Sequence, residues 1–250
     1  MMKIFEIECC IPIAVEMFKD KFPDAEIPEI TVLKASKITK EREQIYKECG
    51  DNGLVECDSL YGEFVHGSLG SRIIIYQNMF DNPFDVLKAL WHELGHVLFG
   101  SKEKYGIDCN ASPETHRGHF LFGEFIAEYI VYVLGGYLLP EERNPNEYLC
   151  MAFQDEETVV PYWLCRYMSI VLGDTSASEK FVSQSCMYVP DEEVWDSIDS
   201  MLELLKEQLD SNEFWKPSTE VIEELGGLYM DILLHLSIEN KKLISSGLPV

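Results

Sequence analysis

The pattern of apolar and polar positions along the chain favours helix over strand. In most of the longer segments apolar residues recur three and four positions apart, the spacing that places them on one face of a helix. This pattern predicts helices at 13–22, 82–99, 120–139, 158–172, 192–209 and 218–243. Short runs rich in β-branched and aromatic residues predict strands at 30–33, 54–65 and 72–76. The expected fold class is therefore α+β, with a small sheet in the first half of the chain and a mostly helical second half.

Local signals between these segments indicate where the elements begin and end. The glycine-rich stretch 66–71 suits a hairpin turn between the last two strands. Asn82 and Pro83 fit the N-cap and the first position of the helix that follows, and Asp85 suits the positive end of its dipole. Residues 100–118 are polar and are expected to form a long loop.

The chain of 250 residues is long enough for one large domain, or for a compact domain with a helical appendage. We place the boundary near Pro140, where a long apolar run ends. Residues 1–140 are expected to form the first domain, whose chemically distinctive residues lie within 54–140. Residues 141–250 are expected to form a mostly helical region packed on the first domain. A separate C-terminal domain is compatible with the sequence but not required by it.

The composition narrows the range of partners. The formal net charge is −24 at pH 7, and the Lys and Arg residues do not form a cluster in the sequence. Such a chain repels phosphate backbones and anionic lipid, so direct binding to nucleic acid or membrane is not expected. The first ten residues place glutamates inside what would be the apolar core of a secretory signal, and the eight cysteines include no CxxC pair. We therefore expect a cytoplasmic protein with reduced thiols.

The segment 91–96 contains the pattern His-Glu-x-x-His. On a helix this spacing puts the imidazoles of His92 and His96 one turn apart on the same face, near enough to share a metal ion. Glu93 lies beside that face, where it can accept a proton from a water whose pKa the metal lowers, and so act as general base. Leucines recur on the opposite side of the helix, which is therefore expected to lie between a core and a site. A pair of hydrogen-bonded histidines with a structural role is the less favoured interpretation.

Two glutamates, Glu124 and Glu128, interrupt the long apolar run at 120–139. Carboxylates in so apolar a helix cost several kcal/mol unless they are paired or bound to a metal. Their i, i+4 spacing puts them on one face of the helix. A transmembrane helix is disfavoured by the two glutamates and by three glycines in the same run. The alternative without a ligand role is a helix face solvated at the mouth of a groove.

Zinc in catalytic sites takes three protein ligands and leaves a fourth position open for water. His92 and His96 supply two ligands, and one of the two glutamates can supply the third. The other glutamate can orient a ligand histidine by accepting its remaining N–H. The expected cofactor is therefore Zn²⁺.

These residues resemble the gluzincin arrangement of zinc peptidases, in which His-Glu-x-x-His is followed by a further Glu. More closely, the segment 73–78, the His-Glu-x-x-His helix, and Glu124 to Glu128 with the Leu-Leu-Pro at 138–140 resemble the ImmA/IrrE-type metallopeptidase domain. The similarity covers residues 54–140, little more than a third of the chain. It implies that Glu124 is the third zinc ligand and that Glu128 orients a ligand histidine. In the family a shorter Asp or Asn is usual at the position of Glu128.

The resemblance also implies an architecture and an activity. In a zincin-like fold a small sheet flanks the His-Glu-x-x-His helix, and its edge strand pairs with an extended peptide; Ile73–Tyr76 is the expected edge strand. Members of the family cleave regulatory proteins such as repressors in the cytoplasm, so the expected partners are a peptide or protein substrate and a regulatory protein. The group that stabilises the oxyanion is left open, and the candidates are His119, Tyr129, Tyr229 and His235.

Three functions stay open at this point. The first is a zinc metallopeptidase in which His92, His96 and Glu124 hold the metal and Glu93 activates water. The second is a regulatory binding module that retains the fold but does not hydrolyse peptides. An intact Glu93 favours the first, because a binding module needs no general base. The third is a helical interaction protein without a metal, which metal analysis would separate from the other two.

Overall fold

Three strands and the helices packed on them belong to the first of two compact units. The structure is a computed structural model. It describes residues 1–51, 53–54, 60–100, 111–136, 144–154, 160–174 and 185–246, with side chains described as far as residue 236. These residues are mostly helical and contain one three-stranded sheet, which confirms the expected mixture of α and β structure. None of their helices is both long enough and apolar enough to cross a membrane.

Each unit has its own set of elements. The first unit comprises Met1–Gly106 and Val133–Gly136, and the second comprises Ile107–Tyr132 and Tyr137–Val250. The described elements of the first are α1 (Ile4–Lys21), β1 (Glu29–Leu33), α2 (Lys40–Cys49), β2 (Gly62–Gly67), β3 (Gly70–Tyr76), a 3-10 turn (Gln77–Met79) and α3 (Pro83–Gly100). The chain continues with α4 (Pro113–Val133), α5 (Pro145–Ala152), α6 (Pro161–Gly173), a 3-10 turn (Cys186–Tyr188), α7 (Glu192–Leu209) and α8 (Thr219–Ser246).

The sheet has the order β1–β3–β2, with β3 parallel to β1 and antiparallel to β2. The β2–β3 hairpin turns within the glycine-rich stretch predicted for it. The expectation that Ile73–Tyr76 forms an edge strand is wrong, because these residues pair with strands on both sides and are fully buried. A run of apolar residues buried on both faces is typical of a central strand. Among the described residues, the edges of the sheet are β1 and β2.

The two faces of β2 contact different helices. On one face, Glu63 accepts hydrogen bonds at 2.8 Å from Nε and Nη2 of Arg42 on α2, and further ones from the hydroxyls of Tyr46 and Tyr76. The Arg42 side chain is only 1% exposed, so its charge compensates the carboxylate inside the unit. The other face, on which Gly62 lies, is turned toward α3. The ion pair therefore joins one face of β2 to α2, and α3 packs against the opposite face.

In the second unit, helices α4 and α8 cross with their backbones in contact. A Cβ at Gly118 would lie 1.8 Å from the carbonyl oxygen of Ile222, and a Cβ at Gly226 would lie 1.8 Å from that of Glu114. No side chain fits at either position, so glycine is required by the close approach.

Several predicted elements are confirmed and others are corrected. Helices α3, α7 and α8 lie within two or three residues of their predicted bounds. Helix α1 begins nine residues before the predicted start, and α2 and α5 have no counterpart among the predicted helices. Helix α4 begins at Pro113, inside the stretch predicted as a loop. Parts of the predicted segments, at 55–59, 101–110, 137–140 and 158–159, lie outside the described residues.

Candidate metal centre

Helix α3 carries the His-Glu-x-x-His pattern and begins as predicted. The backbone N–H of Asp85 donates to the side-chain oxygen of Asn82 at 3.0 Å, which caps the helix before Pro83. Leu90 and Leu94, on the side away from the histidines, are fully buried. The expected helix with one face in the core is therefore confirmed.

His92 and His96 lie one turn apart with their rings nearly perpendicular. Their Nε2 atoms are 3.2 Å apart and the ring planes meet at 83°. A tetrahedral zinc ion with Zn–N bonds of about 2.0–2.1 Å holds two nitrogen ligands about 3.3 Å apart. The observed separation therefore fits a single shared ion. The same contact can also be a hydrogen bond from one neutral ring to the other, with the roles set by the tautomers.

Glu93 follows His92 on α3 and is only 6% exposed. Its side chain lies against the start of β2, because a Cβ at Gly62 would be 3.1 Å from both Cγ and Oε1 of Glu93. The missing side chain at position 62 therefore makes room for the carboxylate. Glu93 therefore lies beside the start of β2, which is an edge strand among the described residues.

Glu124 is the third residue of the candidate centre. His92, His96 and Glu124 each offer one ligand atom, and these atoms all lie within 4.8 Å of one another. In the part of the chain that the structure describes, no other group of three His, Cys, Asp or Glu side chains is arranged in this way. Two imidazoles and one carboxylate form a donor set found in catalytic zinc sites, which keep one position open. The residues present therefore fit zinc, although their role as its ligands stays a prediction.

Glu128 lies one turn after Glu124 on α4, and its side chain is 1% exposed. It accepts hydrogen bonds from Arg166 on α6: Nε donates to Oε2 at 2.8 Å, and Nη2 donates to Oε1 at 3.4 Å. A guanidinium that engages both oxygens of a carboxylate gives a strong pair of fixed geometry. The predicted role of Glu128 in orienting a ligand histidine is compatible with this pair and stays a prediction.

Arg166 was not among the residues expected at the site. Three aromatic rings surround its guanidinium, with ring centroids at 5.3 Å (Tyr148), 4.6 Å (Tyr162) and 5.2 Å (Trp163). Arg166 also donates a hydrogen bond to the hydroxyl of Tyr162. Burial and then the charge of Glu128 raise the pKa of Tyr162 well above its usual range, so this phenol stays neutral. Arg166 and Glu128 therefore form a largely buried ion pair, and three aromatic rings surround the guanidinium.

The four predicted oxyanion candidates lie on α4 and α8, and their role stays a prediction. Tyr129 stacks on Phe125 with ring centroids 5.9 Å apart, and burial raises its pKa. Tyr229 is 3% exposed, and burial raises its pKa to about 12. Both phenols therefore keep the proton that an oxyanion donor needs. His119 lies partly exposed on α4, five residues before Glu124.

His235, the fourth candidate, joins α8 to the start of α7. Its Nε2 lies 3.1 Å from Oδ2 of Asp191, and its Nδ1 lies 3.0 Å from Oε2 of Glu193. Asp191 is also the N-cap of α7, since it accepts a hydrogen bond from the backbone N–H of Glu193. Because both ring nitrogens contact carboxylates, His235 is the least suited of the four to stabilise an oxyanion.

Comparison of the chain with protein-family models, curated proteins and solved structures finds no match. The chemistry open to the site therefore follows from its own residues. Two imidazoles and a carboxylate can hold a divalent ion with an open position, and the buried carboxylate of Glu93 can move a proton beside it. This combination suits attack of water on a carbonyl group.

Proposed function

We propose that the protein is a zinc-dependent metallopeptidase with a zincin-like fold, resembling the ImmA/IrrE type. His92, His96 and Glu124 hold the zinc ion, and Glu93 is the general base. The observation that carries the proposal is the 3.2 Å separation of the two histidine Nε2 atoms, with Glu93 buried on the same helical turn. Two histidines that only bonded to each other would need neither a buried carboxylate next to them nor a further acidic ligand within reach.

The proposed roles of the zinc ion, Glu93 and the oxyanion candidates follow from their chemistry. Zinc, when bound, lowers the pKa of a water molecule and polarises the carbonyl of the peptide bond. Glu93 takes the proton of the attacking water and later delivers a proton to the leaving amine. The carboxylate lies against Gly62, at the start of the edge strand β2. Of the oxyanion candidates, Tyr129 and Tyr229 are neutral donors, and His119 is the third.

Strand β2 is the part of the fold best suited to bind the substrate. It is an edge strand among the described residues, and its Gly62 end lies beside Glu93. An extended peptide can add to such an edge through backbone hydrogen bonds. The ion pair of Glu63 with Arg42 anchors the opposite face of β2. We therefore expect the substrate to be a peptide or an extended segment of a cytoplasmic protein, with a regulatory protein as a further partner and no direct contact with nucleic acid or membrane.

The test is cleavage of a denatured protein by zinc-loaded enzyme, with wild type beside Glu93→Gln. Wild type should cleave, and Glu93→Gln should keep its zinc but cleave about 10²–10⁴-fold more slowly, because only the general base is lost. Glu16→Gln, at an exposed position of α1, is the matched control and should cleave like wild type. Zinc binding without any cleavage by wild type would contradict the peptidase and favour a regulatory binding module with the same fold.

A further inference from the structure

Helix α4 presents two carboxylates where a catalytic zinc site uses one. Glu124 and Glu128 are one turn apart on the same face. If both bound the metal, two imidazoles and two carboxylates would fill all four positions of a tetrahedral ion and leave none for water. The charges of two carboxylates and a divalent ion would also cancel, so the complex would be neutral. A donor set with two carboxylates suits manganese or iron better than zinc. The site therefore needs something that separates the roles of the two glutamates.

Arg166 contacts Glu128, and this contact distinguishes Glu128 from Glu124. Its guanidinium engages both oxygens of Glu128, at 2.8 Å and 3.4 Å. The Glu128 side chain is 1% exposed and that of Arg166 is 17% exposed, so water competes little for the pair. Glu124, in contrast, is the carboxylate whose ligand atom lies with those of His92 and His96.

The surroundings of Arg166 limit its freedom to release Glu128. The rings of Tyr148, Tyr162 and Trp163 enclose the guanidinium, and its Nη2 donates to the Tyr162 hydroxyl as well. A planar cation stacked on aromatic faces and bonded through its fork cannot be replaced by a Lys ammonium without losing that geometry. Helix α6 is itself attached to α4, since Ser169 donates to the Phe125 carbonyl oxygen at 3.3 Å.

We infer that Arg166 is a positioning residue that holds Glu128 away from the metal, so that Glu124 is the one carboxylate ligand and a coordination position stays open. This inference rests on the proposed function, because it presupposes a metal held by His92, His96 and Glu124. Arg166 thereby sets the number of ligands and, with it, the preference for zinc over manganese.

The experiment uses the full chain loaded with Co²⁺, whose visible absorption is intense at four-coordinate sites and weaker when more ligands bind. Arg166→Met should bind one Co²⁺ per chain with weaker, shifted bands, because the released Glu128 joins the metal. Its affinity for Mn²⁺ relative to Zn²⁺ should rise by about tenfold or more. Arg166→Met combined with Glu128→Gln should restore the wild-type spectrum, because the extra ligand is gone.

Two results would contradict the inference about Arg166 but not the proposed function. One is a wild-type spectrum in Arg166→Met, and the other is an altered spectrum that persists in the double variant. If Arg166→Met does not fold, as judged by circular dichroism, Glu124→Gln decides instead. It should lose Co²⁺ affinity, because Arg166 keeps Glu128 from replacing the lost ligand. Retention of Co²⁺ in Glu124→Gln that disappears in Glu124→Gln/Glu128→Gln would show that Glu128 is free to bind. A wild type that binds no Co²⁺ would remove the proposed function together with the inference.

Discussion

Gly62 at the start of β2 lies directly against the carboxylate of Glu93 on α3: a Cβ at position 62 would be 3.1 Å from Oε1. This relationship ties the candidate general base to the edge of the sheet. A side chain at position 62 would meet both Glu93 and Cδ1 of Ile75, which lies 3.0 Å from the Cβ position, so glycine suits the start of β2.

Gly62→Ala should therefore displace Glu93 by a few tenths of an ångström and lower kcat about tenfold, with zinc content unchanged. The measurement is a steady-state assay together with metal analysis of the same samples. Gly70→Ala is the control, because a Cβ at Gly70, at the start of the neighbouring strand, meets nothing within 4 Å. Equal activity of the two variants would contradict the placement of Glu93.

The buried pair of Arg42 and Glu63 should dominate the stability of the first unit. Arg42→Met leaves Glu63 in the interior without its cation, which should lower the free energy of unfolding by about 3–5 kcal/mol. Arg72→Met removes surface pairs with Glu29 and Glu48, whose side chains are 66% and 45% exposed, and should cost less than about 1 kcal/mol per pair. Chemical denaturation compares the two, and similar losses would be inconsistent with a buried role for Arg42.

The crossing of α4 and α8 should tolerate no methyl group. Gly118→Ala places a carbon 1.8 Å from the backbone oxygen of Ile222, so the helices must move apart, at a cost of about 3 kcal/mol. Gly227→Ala has nothing within 4 Å and lies in the interior of α8, where alanine is the better helix former by about 1 kcal/mol. Thermal unfolding should show Gly118→Ala destabilised and Gly227→Ala unchanged or stabilised; the reverse order would refute the crossing.

Tyr229 should make the protein less stable at alkaline pH. Burial raises the pKa of Tyr229 to about 12 in the folded protein, whereas an unfolded tyrosine titrates near 10. Between about pH 10 and 12 the unfolded chain therefore releases a proton that the folded protein keeps, so the free energy of unfolding falls as pH rises, by at most about 1.4 kcal/mol per pH unit. Tyr229→Phe should remove this contribution and make the pH dependence shallower. An identical slope in the two proteins would contradict it.

The elements that sequence predicted best are those whose signals are local. Helix α3 has Asn82 and Pro83 at its start, and α7 has a regular apolar stripe behind the capping residue Asp191. The start of α4 also carried a local signal, because Ser112 accepts a hydrogen bond from the backbone N–H of Thr115 just before the helix. Pro113 is typical of a first helical position, but the polar character of the segment suggested a loop.

Helix α2 and the contact of Arg166 with Glu128 were not predicted, and the reasons differ. Helix α2 is mostly polar, so apolar periodicity does not reveal it, although Thr39 caps its start and Gly50 ends it at a φ of 72°. His92 and His96 were predictable together because one helix sets their distance. The pairing of Glu128 with Arg166 joins residues on two different helices, 38 positions apart. No local spacing predicts such a contact, which is why Arg166 was not expected at the site.

The central claim is tested most directly by the metal content of the purified protein. Wild type, His96→Ala and Glu124→Ala are compared without added chelator, with His116→Ala, at an exposed position of α4, as the control. We predict about one zinc per chain in wild type and in His116→Ala, and loss of zinc in the other two variants, because each removes one of three ligands. Wild type that contains no zinc, even after reconstitution, would contradict the metallopeptidase and leave a helical scaffold.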